Sequence, residues 1–196
     1  VYAKDPLLVI HTEGKDFEEA VTGIRQETEE DFSVNEMLIS RSTDIEALSR
    51  KMKDISPKAA VLMDNISISL YRKYQIDSGT AVPSVSLMAS FTDIAIKGIK
   101  NAAGIFYEVP VVTSIVNLRT LMPGAKFRNV GVIYRNFMDP FITINGTYCQ
   151  KEQIELVPHS IPNKGDVAEA LKNGLNILVQ KRKVDALWVL NDSVLI

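Results

Sequence analysis

The chain has 196 residues, 46% of them hydrophobic, and a formal net charge of −2. It is long enough to bury a real core in one large domain or two small ones, and its charge leaves no broad electropositive footprint, so nucleic acid is excluded as a default partner. Cys149 is the only cysteine, which rules out an intrachain disulfide and a cysteine-based metal site.

No segment approaches the roughly 20 consecutive apolar residues of a membrane span, and no signal peptide is present. The start, Val1-Tyr-Ala3, reads either as the remnant of a small-residue cleavage region or as an arbitrary boundary. Residues 7–10 (Leu-Leu-Val-Ile) predict a buried strand, and 15–28 an amphipathic helix with Phe17, Val21 and Ile24 on its apolar face. A second strand at 34–40 leads to Thr43-Asp-Ile-Glu46, a capping-box pattern opening a helix over 44–54 with Ile45, Leu48 and Met52 at helical spacing. A strand at 59–63, a helix at 67–75 and a strand at 82–87 continue the alternation, which implies a parallel sheet with right-handed crossovers.

The region 102–136 then reads as one α/β unit closing and a second opening. A short apolar strand ends at Glu108, Pro110 suits a first helical position, and the helix 111–122 must stop before Pro123-Gly124. Asn129-Val-Gly-Val-Ile-Tyr134 has the continuous apolar character of a strand buried on both faces. The expected organisation is therefore α/β, with a first lobe over 1–109, a second over 110–196 and a cleft between them. In the second lobe a helix around 141–152, a strand at 154–158, a helix at 166–179 with Asp166 near its N-cap and a strand at 185–190 follow. A lobe normally has more strands, so the second lobe is expected to be incomplete and the chain a piece of a longer protein.

In open parallel sheets ligands collect just beyond the carboxyl ends of the strands. Those positions are polar here: His11-Thr-Glu13, Asp64-Asn65, Met88-Ala-Ser90 and Tyr107-Glu108, then Arg135-Asn136, His159-Ser160 and Asn191-Asp192. Such a rim suits a polar small molecule, since nearby helix N-termini add partial positive charge for a carboxylate or phosphate. Strand-end loops are polar in every α/β protein, so the set carries more weight than any member.

No G-x-G-x-x-G, Walker or Gly-x-Ser-x-Gly pattern occurs, so no catalytic residue is assigned. His11 is read as a ligand-contacting or internally satisfied strand-end histidine rather than a catalytic base. Cys149 is read as a packed small hydrophobe, and the basic run at 180–183 as a solvated helix cap. Asn145-Gly-Thr147 matches a glycosylation sequon but falls in or beside a predicted helix and is set aside.

In this order the segments resemble the substrate-binding proteins of ABC transporters with the type 1 periplasmic binding protein fold. Val82-Pro-Ser-Val-Ser-Leu87 is similar to that family's "iPvv" strand and Ala102-Ala-Gly-Ile105 to its "nvTGv" segment, with Ala103 where the family usually has threonine. Residues 118–135 are similar to its "lik.llP..k.iGvly" signature, and Val184-Asp-Ala-Leu-Trp-Val-Leu-Asn-Asp192 to its "kvDaiyvp.D" strand. The family continues for roughly a hundred residues more, the size of another small domain.

The resemblance implies two Rossmann-like lobes with parallel sheets flanked by helices, and a non-enzymatic, extracytoplasmic solute-binding component of an ABC-type importer. It implies hinge closure on a small molecule, with an amino acid or other small carboxylate as the leading class, and a membrane permease as partner. The protein would be periplasmic or extracellular, with lipid anchoring left open, and would need no cofactor and no metal. The matching positions supply Thr12, Glu13, Asp64, Asn65, Met88, Ala89 and Ser90 from the first lobe, Glu108 from the seam, and Asn136 and Asp192 from the second. Asp192 would suit an ammonium group, and Thr12 and Ser90 a carboxylate. Two alternatives stay open, a ligand-sensing domain of a membrane signalling receptor and a doubly wound α/β enzyme, because fold does not fix function.

Overall fold

A computed structural model describes residues 3–106 and 108–192, so Tyr107 of the expected rim lies outside the described residues. The chain divides into two compact units, Val1–Glu108 and Val109–Ile196. In the first, the apolar run of β1 (Asp5–Thr12) forms a strand flanked on both sides, pairing in parallel with β2 (Phe32–Ile39) and β3 (Ala59–Leu62). Leu8, Val9 and Ile10 are completely buried, and each contributes about 2 kcal/mol of hydrophobic stabilisation. Beyond β3 lie β4 (Ser84–Ser86) and β5 (Ala102–Gly104), giving a parallel sheet in the order β2-β1-β3-β4-β5.

Helix α1 (Lys15–Thr28) covers one face, where Val21, Phe17 and Ile24 meet Leu7, Val9, Val61 and Met63. Helices α2 (Ile45–Ile55) and α3 (Asn65–Ser78) cover the other, with Leu48, Met52, Ile68 and Tyr71 packed on Leu8, Ile10 and Leu62. The Tyr71 hydroxyl donates to the carbonyl of Val82 at 2.7 Å. A short helix α4 (Thr92–Ala95) approaches β5 so closely that a Cβ on Gly104 would lie 2.6 Å from the Thr92 methyl carbon.

In the second unit β6 (Asn129–Arg135) is central, flanked in parallel by β7 (Glu155–Ile161) and β8 (Ala186–Trp188). Helices α5 (Val111–Leu121) and α6 (Asp139–Lys151) bring Val111, Ile115 and Cys149 onto one face. Cys149 is fully buried, and burial raises its thiol pKa, as befits a packed small hydrophobe. Helix α7 (Val167–Asn176), prolonged by a π-helical turn Ile177–Lys181, covers the other face with Leu171 and Leu178. The carboxylate of Asp185 accepts the amides of Arg128 and Asn129, both at 2.8 Å, and these bonds lower its pKa. Among the described residues no helix is long and apolar enough to cross a membrane.

Several local expectations are corrected. The strand expected to end at Glu108 pairs only over Ala102–Gly104, because Ile105 and Phe106 turn outward, 60% and 56% exposed. The capping box at Thr43 and Glu46 is absent: Asp44 is the N-cap and accepts Ala47 N–H, while the Thr43 hydroxyl accepts Ser40 N–H. A true capping box stands instead at Asp64 and Ser67. β4 begins after Pro83, whose carbonyl takes the amide of Ala60, and β8 ends at Trp188 rather than 190. The sequon asparagine, Asn145, is 2% exposed and accepts the amide of Val111 at 3.2 Å while donating to the carbonyl of Phe141.

Candidate functional site

The strand order of the first unit makes β1 the point where successive connections turn in opposite directions, and the carboxyl ends beside such a point are where open α/β sheets bind ligands. The end of β1 is held from β3. Asp64, 8% exposed, accepts Thr12 N–H at 2.8 Å on one oxygen and Ser67 N–H at 2.6 Å on the other. It therefore caps α3 and ties down β1 at once. Glu13, the next residue, is exposed.

Two hollows open at these strand ends. One, of about 440 Å³, is lined by Thr12, Glu13, Leu38, Ile39, Ser40 and Thr43. The other, of about 510 Å³, is lined by Gly14, Lys15, Asp16, Phe17 and Met88. The sequence pattern brings Thr12, Glu13 and Met88 to the rim but assigns Phe17 to the helix core. Phe17 does both, since α1 starts immediately after β1 and its first turn is part of the rim. No side chain caps that helix, and its first-turn Asp16 and Glu18 partly complement the N-terminal dipole.

The turn after β4 is strained and braced. Met88 (φ 58°) and Phe91 (φ 53°) occupy the left-handed region, which bulky residues rarely enter, at a cost of about 1–3 kcal/mol each. Asn65 braces the turn by accepting Ser90 N–H at 2.9 Å and donating to the Ser90 carbonyl at 2.8 Å. Glu108 accepts the amide of Phe91, and the Thr92 hydroxyl donates to the carbonyl of the fully buried Ala89 at 2.7 Å. Asn65, Ser90 and Glu108 are thus brought together, with the two side chains holding backbone in a conformation it would otherwise leave. Strain of this kind clusters at ligand sites.

In the second unit Arg135, at the end of β6, donates from Nε and Nη2 to the two oxygens of Asp192 at 2.7 and 2.8 Å. Asp192 is 4% exposed, and the Arg135 guanidinium also lies 4.8 Å over the Phe137 ring. Both oxygens of Asp192 already hold Arg135, so a ligand ammonium would have to share them. Asn136 is exposed where β6 passes into a 3-10 turn, and Asn163 accepts the amide of Phe137. Burial, followed by hydrogen bonding to Asp139, raises the Tyr134 pKa. His159 is half-buried beside Gly174 of α7, and His11 is 1% exposed, so the His11 ring is not an open strand-end contact. Among the described residues no three His, Cys, Asp or Glu side chains form a metal-binding group.

No family model matches the sequence, and no curated protein is similar to it. Solved structures are. A substrate binding protein with adhesive properties from Clostridium difficile, in its ligand-free, open form, matches with a TM-score of 0.62 and 16% identity over 98% of this chain and 67% of its own. An ABC transporter substrate-binding protein from Desulfitobacterium hafniense, in complex with Leu, matches with a TM-score of 0.56 and 12% identity over 94% of this chain and 58% of its own. This chain has the fold of ABC transporter substrate-binding proteins. A fatty acid ABC transporter substrate-binding protein from Thermomonospora curvata matches with a TM-score of 0.51 and 15% identity over 95% of this chain and 51% of its own. The chain thus spans 51–67% of the length of these substrate-binding proteins. Identities at this level establish the fold alone. Within that fold, the rim of β1, β3 and β4 and the rim of β6 and β8 are the strand ends at which the expected site residues stand.

Proposed function

We propose that the chain is the solute-binding part of an extracytoplasmic component of an ABC-type importer, acting in the periplasm or at the cell surface without catalysing a reaction. The observation that carries this is the braced, left-handed turn at Met88–Phe91 beside the strand-end hollows, in the fold of substrate-binding proteins. Rigid polar backbone next to an accessible hollow is the arrangement that small-molecule recognition needs.

The leading ligand class is an amino acid or other small carboxylate, supported by the leucine bound to the Desulfitobacterium hafniense protein. Thr12, Glu13, Met88 and Ser90 would touch it, with Phe17 and Met88 offering apolar surface. Asp64, Asn65 and Glu108 would hold the backbone around Ala89 in place, and Asn136 with the Arg135–Asp192 pair would contribute from the second unit. Closure is then a population shift driven by contacts made on both sides, and the closed form is what the membrane permease receives.

A thermal-shift screen of the full-length protein against amino acids and small acids tests this. A ligand at a hundred times its dissociation constant stabilises the protein by about 2.7 kcal/mol. If no amino acid and no small carboxylate moves the melting temperature, that ligand class is wrong. If no transported solute of any class does, the receptor role falls with it.

A further inference from the structure

We propose that His11 is a pH-responsive anchor for the end of β1. Its Nδ1 lies 2.8 Å from the carbonyl oxygen of Thr12. A carbonyl only accepts, so in the neutral ring Nδ1 carries the hydrogen and Nε2 holds a lone pair. That Nε2 is buried and has no hydrogen-bond partner among the described atoms. It faces the carboxylate of Glu36 on β2, with Oε2 3.8 Å away, too far for a hydrogen bond and close enough for an ion pair.

The surroundings determine what a proton does there. Glu36 is already held by Arg25 of α1, which also donates to the carbonyl of Val34. The Phe17 ring lies over His11 at 6.1 Å between centroids, and Lys15 and Asp16 beside it are exposed in the open hollow. On the β3 side Met63 is uncharged, and Asp64 is committed to the amides of Thr12 and Ser67. A proton on Nε2 therefore supplies the one missing donor and completes an Arg25–Glu36–His11 chain of alternating charge. It also turns the Nδ1–H bond to the Thr12 carbonyl into a charge-assisted one. Because the Thr12 amide is fixed on Asp64, acidification tightens the strand end from its other side, at the peptide joining Thr12 to Glu13. Both residues line the hollow at the ends of β1 and β2.

NMR titration of the full chain tests this without any ligand, so its failure is separate from a failure of the transport role. The chain has two histidines, and His159→Gln assigns the ring signals. On acidification the His11 Cε1–H signal is expected to move as Nε2 takes up a proton, with the Glu13 amide following at the same midpoint. Glu36→Gln should carry both signals to lower pH together. A His11 signal that stays flat overturns the proposal, as does a midpoint indifferent to Glu36→Gln. So does a Glu13 amide that titrates unchanged in His11→Gln.

Discussion

Replacing Asp64 separates two jobs that one carboxylate performs. In Asp64→Asn the amide oxygen still caps α3, but the amide nitrogen now opposes the Thr12 N–H that Oδ2 accepts at 2.8 Å. An unsatisfied buried donor costs about 1–3 kcal/mol. Asp64→Ala removes the cap as well, worth about 0.5–2 kcal/mol, so the losses should be about 2 kcal/mol for asparagine and about 3 kcal/mol for alanine. Equilibrium urea unfolding followed by far-ultraviolet circular dichroism measures both. Amide exchange at Thr12 should accelerate equally in the two variants, because both lose the same bond. An Asp64→Asn protein as stable as the parent, with Thr12 exchange unchanged, would refute the tie between β1 and α3.

Three further outcomes are expected. Burial, the largest cause, raises the Tyr71 pKa to about 12 from 10.0, so its contribution is fully present below about pH 10 and is lost as pH rises through about 12. Alkaline melts should show that loss in the parent and not in Tyr71→Phe. Gly174→Ala would place a Cβ 2.6 Å from the His159 ring and 3.0 Å from Ile133, an overpacking of about 1–3 kcal/mol that outweighs the gain of about 1 kcal/mol in helix propensity. Its melting temperature should fall, and His159→Ala in the same chain should restore it. Asp192→Ala leaves Arg135, whose side chain is 19% exposed, without its bidentate partner, for a loss of about 1.5–3 kcal/mol, the worth of hydrogen bonds to a charged group, by thermal melting. A smaller loss at high salt than at low salt would contradict the half-buried setting of the pair.

The alternation of strands and helices was legible because runs such as Leu7–Leu8–Val9–Ile10 and the apolar heart of β6 are buried on both faces, leaving no polar residue to blur the period. What escaped is set by distant partners. Helix α4 is four residues long and starts from Phe91 in a left-handed conformation, which no local propensity predicts. Ile105 and Phe106 look like strand residues until their exposure is known. At the rim, polarity was visible, but the tasks of its members were not. Asn65 meets Ser90 across 25 positions and Asp192 meets Arg135 across 57, so their bonds to the protein's own groups have no signature in a single sequence.

The burial of Asn145 sets a race between modification and folding in any secretory host that attaches glycans. Its side chain is free while the chain is unfolded and enclosed once α6 docks on the start of α5. A glycan attached before docking is bulky and water-seeking, and would keep Val111 and Cys149 from packing together. Produced in such a host, the protein should divide into an unmodified native fraction and a glycosylated fraction with an unfolded second unit, and production in bacteria avoids the split.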